Sequence, residues 1–201
     1  MKNTGVKAKL KGEIKFLEME CAGRKKKFGV DLYDLLTKDK NKLLGMSSGT
    51  LGQKELHQPF ELAKDDIAGI QAKKDVKQKD CDVLEVKGPQ SMPDQTAGDK
   101  MKQAGRAVSN AGKEAKLRTE MALLERDMKI RKENFGLEII DVLKTSEDLK
   151  SKGIGKKIRN SITNNTQHET EIQACIDAAK ADVARIEGKI RSKEFEITAL
   201  E

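Results

Sequence analysis

The chain has 201 residues, with 40 Lys or Arg against 33 Asp or Glu, a formal charge of +7, and equal 36% shares of apolar and charged residues. That balance leaves little material for a large globular core and suits long amphipathic helices. Aromatics make up 3%, with no Trp and one Tyr, which disfavours β-sandwiches and aromatic-lined ligand pockets.

In chain order, residues 8 to 36 place Leu10, Ile14, Leu17, Cys21, Phe28, Leu32 and Leu35 at spacings of three and four, the period of a helix with one narrow apolar seam. Lys40 and Lys42 before Gly45 put cations on the carboxyl end of the helix and a glycine at its cap, so the helix is expected to run to about residue 44. A second helix is expected from Pro59, a favoured first helical residue, along Phe60, Ala63, Ile67, Ile70, Lys74, Lys77, Cys81 and Leu84. Gly88, Pro89, Met92, Pro93 and Gly98 then mark a linker. Beyond it, residues 99 to 114 suit an extra turn or two of helix, interrupted at Gly105 and Gly112.

Residues 115 to 143 repeat residues 8 to 36 without a gap. Identities fall at Leu10/Leu117, Glu13/Glu120, Leu17/Leu124, Glu18/Glu125, Arg24/Arg131, Phe28/Phe135, Gly29/Gly136 and Asp34/Asp141. The second helix repeats as well, through Ala63/Ala179, Lys64/Lys180, Asp66/Asp182, Ile70/Ile186, Lys73/Lys189, Lys77/Lys193 and Leu84/Leu200. The connection between the segments is longer in the second copy, as loops allow and packed helices do not. There the first helix is expected to stop near residue 152, before Gly153, and the next to start on a capping box of Thr166 and Glu169.

The fold expected is all-α: two tandem, long, antiparallel helical hairpins resembling coiled coils, residues 1–86 and 99–201, joined by a Gly/Pro linker at 87–98. A hairpin with one narrow seam is marginal alone. The broader apolar surfaces at Phe28–Leu36 and Phe135–Leu143 are therefore expected to pack on one another, in a four-helix arrangement within the chain or between two chains.

Several positions stand out as candidates for packing or interaction. Phe28, Gly29 and Tyr33, with their counterparts Phe135, Gly136 and Ile140, form the expected helix-packing surface; the glycines cost about 1 kcal/mol each relative to alanine, which points to close helix approach. Arg24, Arg131, Lys77 and Lys193 interrupt the apolar seams as a polar layer that sets register. The connector Leu149–Ile162 spaces Ile154, Ile158 and Ile162 four apart and carries Lys152, Lys156, Lys157 and Arg159, candidates for contact with anionic headgroups.

Other chemistry is poorly signalled. Gly153, Gly155 and Lys156 lack the spacing of a phosphate-binding loop. Cys21 and Cys81 correspond to Met128 and Ile197 in the other copy, and Cys175 adjoins Ile176, so all three read as packing residues. With no CxxC or Cys/His spacing, and His57 and His168 without matching positions, no metal, cofactor or catalytic constellation can be assembled. Basic and acidic residues intermix instead of segregating as in a nucleic-acid binder. No apolar run spans a bilayer, residues 1–10 lack a signal-peptide core, and Lys2 stands where myristoylation needs glycine. The expectation is a non-enzymatic scaffold in a reducing compartment such as the cytoplasm, binding helical proteins or itself. The alternative is a peripheral protein on an anionic membrane surface.

Overall fold

A computed structural model describes residues 3–38, 51–86, 97–149 and 167–200. The protein is all-helical: α1 (Asn3–Lys38), α2 (Leu51–Val86), α3 (Ala97–Leu149) and α4 (Gln167–Ala199), with no strand among the described residues. The turns expected to end the first helix of each copy, at Gly45 and Gly153, lie outside these residues, as does the cap residue Thr166.

Two boundaries differ from those the sequence suggests. The helix α2 begins at Leu51, so Pro59 sits inside it and removes the bond to the Glu55 carbonyl one turn back. Phe60, immediately after, is only 2% exposed, and its burial offsets that loss. The helix α3 begins at Ala97 and passes unbroken through Gly98, Gly105 and Gly112. The last two have open space around them, and strong helix formers such as Lys, Met, Gln and Ala flank them.

The chain divides into two compact units that follow neither the sequence copies nor the linker: Met1–Ala63 with Lys132–Glu201, and Lys64–Arg131. In the first unit α1 lies antiparallel to α4. Asn3 donates to the Leu200 carbonyl (3.4 Å), Glu13 pairs with Lys193, and Arg24 pairs with Asp182. Between these ties Leu17, Cys21, Val183 and Ile186 make a buried seam, with Ile190 against it. In the second unit α2 and α3 run antiparallel through Lys77 with Glu120, Lys74 with Glu125 (2.6 Å) and Arg131 with Asp66 (2.6 Å).

The α1–α4 seam and most of these ion pairs join the two copies. Contacts within a copy are present too: the Tyr33 and Phe60 rings lie 5.6 Å apart, and Lys144 lies 2.5 Å from Glu187. Net charge does not by itself select α4 as the partner of α1, because α2, with six basic against eight acidic residues, matches α4. The first helix of copy one, α1, carries nine basic against five acidic residues, whereas α4 carries five against seven. An α1–α4 pair therefore joins opposite net charges, as an α1–α2 pair would.

Candidate functional site

In the first unit a buried cluster surrounds the crossing of α1 and α3. Gly29 and Gly136 are both buried and meet there. A Cβ built on Gly29 would stand 2.6 Å from the Gly136 Cα, and one on Gly136 would stand 2.5 Å from the Gly29 Cα. Each glycine also faces a carbonyl one turn before its partner, Gly29 that of Lys132 and Gly136 that of Lys25. The contact is reciprocal between equivalent residues, so the two helices approach to backbone distance and only glycine fits at either position.

Around the crossing the helix periodicity sends Phe28, Leu32, Tyr33 and Leu36 inward from α1, with Phe135, Ile139 and Ile140 from α3. Leu36, and not Leu35, is the buried leucine of the last turn. Phe135, Leu32 and Ile139 are fully enclosed, each such side chain contributing about 1.5–3 kcal/mol by burial. Tyr33, Phe60 and Phe135 form a three-ring cluster, with Phe135 edge-on to the other two at 6.2 and 6.1 Å. Lys132 closes it, its Nζ 5.0 Å from the Tyr33 ring centroid and 2.7 Å from the Asp34 carboxylate, so the ammonium keeps an anion while covering an aromatic face.

All four polar-seam candidates make ion pairs, each to the opposite copy. Lys193 donates to Glu13 and Lys77 to Glu120. Arg24 lies 3.7 Å from Asp182 and Arg131 2.6 Å from Asp66. Glu13 and Glu120 occupy equivalent positions, as do Asp66 and Asp182, so the same two pairs are written twice. Lys25 with Glu187 (3.9 Å) and Lys26 with Glu133 (3.7 Å) extend the set in the first unit, while Lys144 with Glu187 (2.5 Å) joins two helices of the second copy.

Sequence reasoning named the cations, with Glu20 and Asp127 as the acids one turn before Arg24 and Arg131, and did not name the partners found here. Glu13, Glu120, Asp66 and Asp182 were all visible as repeat identities. Asp66 and Asp182 differ from the rest of the signal by lying outside the apolar period, so only cross-copy pairing reveals their partners.

The hydrogen bond from Lys193 holds the Glu13 carboxyl below its ordinary value of 4.5, and Lys77 does the same for Glu120. Lys193 is raised in turn by its bond to Glu13, and Lys144 by its bond to Glu187. A carboxyl depressed by folding stabilises fully above its unfolded value, and that contribution disappears as pH falls through the folded one. Melting temperature is therefore expected to fall as pH drops below about 4.5, and the Glu13→Gln/Glu120→Gln double variant should show a shallower fall. Equal slopes in thermal melts of the two proteins would count against these pairs as the source.

The cysteines are free, Cys21 and Cys81 buried and Cys175 half-buried. Burial pushes the Cys175 thiol up, with a smaller push from the Asp31 charge, which disfavours the reactive thiolate. His57 is exposed on α2. Among the described residues no cluster of three His, Cys, Asp or Glu could hold a metal, and no helix is long and apolar enough to cross a membrane. The anionic-surface candidates Lys152, Lys156, Lys157 and Arg159 lie outside the described residues.

Two open grooves flank the seams at equivalent places. One, of about 680 Å³, is bordered by Lys9, Glu13, Phe16 and Glu196. The other, of about 390 Å³, is bordered by Lys116, Glu120 and Asp80. Their glutamates are committed to cross-helix lysines, and the walls offer no convergent set of polar groups for a small ligand. The arrangement is suited to joining helices. Comparison with family models, curated proteins and solved structures finds no match to this chain.

Proposed function

We propose that this protein is a non-enzymatic helical scaffold that works by pairing helices, with other helical proteins or with its own kind. The observation that carries this reading is the duplicated pairing register, in which Glu13–Lys193 and Arg24–Asp182 recur as Glu120–Lys77 and Arg131–Asp66. Ion pairs of this exposure add little stability, but their placement fixes which helix meets which and in what alignment, as charges beside a coiled-coil seam do. Narrow seams also leave large apolar side chains outside. Phe16 is 69% and Met19 74% exposed, one turn apart on α1, and they form an outer stripe of the kind that helices use to associate.

Sedimentation equilibrium of the purified protein over a wide concentration range is the test, with flotation on anionic and neutral vesicles in parallel. Concentration-dependent association that weakens in Phe16→Glu/Met19→Glu is expected. A strict monomer that floats with anionic vesicles in a salt-sensitive manner would replace this reading with the peripheral-membrane alternative, and charge reversal at Lys156, Lys157 and Arg159 would then be decisive.

A further inference from the structure

We propose that copy one recognises copy two rather than itself, so that two chains can close on each other by exchanging copies to form a dimer. This rests on the self-association branch of the scaffold reading and names its partner, a second copy of this chain.

Glu13–Lys193, Arg24–Asp182, Lys25–Glu187, Lys26–Glu133 and Lys132–Asp34 in the first unit, and Lys77–Glu120 and Arg131–Asp66 in the second, all join one copy to the other. The glycine crossing does so too. These contacts do not depend on both copies belonging to one chain. The covalent connection between Val86 and Ala97 only raises the local concentration of the right partner, which favours the monomer when protein is dilute and releases that advantage when it is concentrated.

What opposes like copies most directly is one position. Lys26 and Glu133 are equivalent residues in the repeat, and they face each other across the reciprocal crossing at 3.7 Å. Most of the other pairs would survive if copy one met copy one, because Glu13 would find Lys77 and Arg24 would find Asp66. Lys26, however, would then face Lys26, and in a pair of second copies Glu133 would face Glu133. Like charges at a point of self-contact oppose both homotypic arrangements, while opposite charges favour the heterotypic one. The side chains are 47% and 21% exposed, so changing their sign leaves the apolar crossing in place.

The experiment uses two full-length chains, Lys26→Glu and Glu133→Lys. Each carries like charges at the crossing when folded alone, but a mixed dimer with exchanged copies restores an opposite pair at both crossings. Refolding them together at high concentration and weighing the products by native mass spectrometry should give mixed dimer on the order of tenfold above the statistical proportion. The single chain carrying both changes has its pair restored internally and should return to wild-type behaviour. Two separate monomers, or same-chain and mixed dimers in random proportion, would overturn the proposal. Phe16→Glu/Met19→Glu added to both chains separates the two ideas: the mixed dimer should persist there, whereas stripe-mediated association is lost. Loss of the mixed dimer in that background would also refute copy exchange.

Discussion

Gly136→Ala is expected to destabilise the protein by about 3 kcal/mol or more, and Gly29→Ala by a similar amount, because neither new methyl has anywhere to go. At both positions the added carbon meets the backbone of the opposite helix, and a backbone cannot rotate aside as a side chain can. The two helices must separate, and the separation loosens Phe28, Leu32, Phe135 and Ile139 together. Urea unfolding measures this as a lower midpoint. Gly112→Ala is the control, since nothing lies within 4 Å of the site; there the gain in helix propensity should raise stability by about 0.5–1 kcal/mol. A Gly136→Ala protein as stable as wild type would show that the helices do not cross at these residues.

Phe135→Ala is expected to cost about 3–5 kcal/mol and to lower the melting temperature by roughly 10 °C. The ring is completely enclosed and makes the central contact of the aromatic cluster with Tyr33 and Phe60. Removing it leaves a cavity walled by three helices and takes away both edge-on ring interactions. Phe16→Ser, at a position 69% exposed, should by comparison change stability by no more than about 0.5 kcal/mol. Differential scanning calorimetry of the two variants checks the contrast, and similar losses from both would mean that the enclosed core has been misplaced.

The helical class and the apolar seams were legible because helix burial has a period that a sequence records directly. The crossing glycines were legible for a different reason, as a costly residue retained at the same place in two copies. Partner choice was not legible. A seam such as Leu10, Leu17 and Cys21 states that a helix has a buried face and says nothing about which of two similar partners covers it. Short loops favour the neighbour in sequence, and that general preference pointed to hairpins within the copies. Pairs between distant residues, such as Glu13 with Lys193 and Arg24 with Asp182, leave no periodic trace in a sequence. The start of α2 and the continuity of α3 through Gly105 and Gly112 show a related limit. Proline and glycine are penalties of a few kcal/mol at most, and long helices with enough favourable contacts absorb them.

The antiparallel pairing of α1 with α4 also sets a schedule for synthesis. Glu13 and Lys193 are 180 residues apart, whereas Lys77 and Glu120 are separated by 43. At about 5–20 residues per second of translation, α1 waits on the order of ten seconds or more for the helix that covers Leu17 and Cys21, while α2 and α3 can meet much sooner. Throughout that interval the nascent chain presents an uncovered apolar seam on a strongly basic helix, open to chaperones or to a neighbouring chain on the same messenger. The helix α4, made long after α1, is the one that closes it.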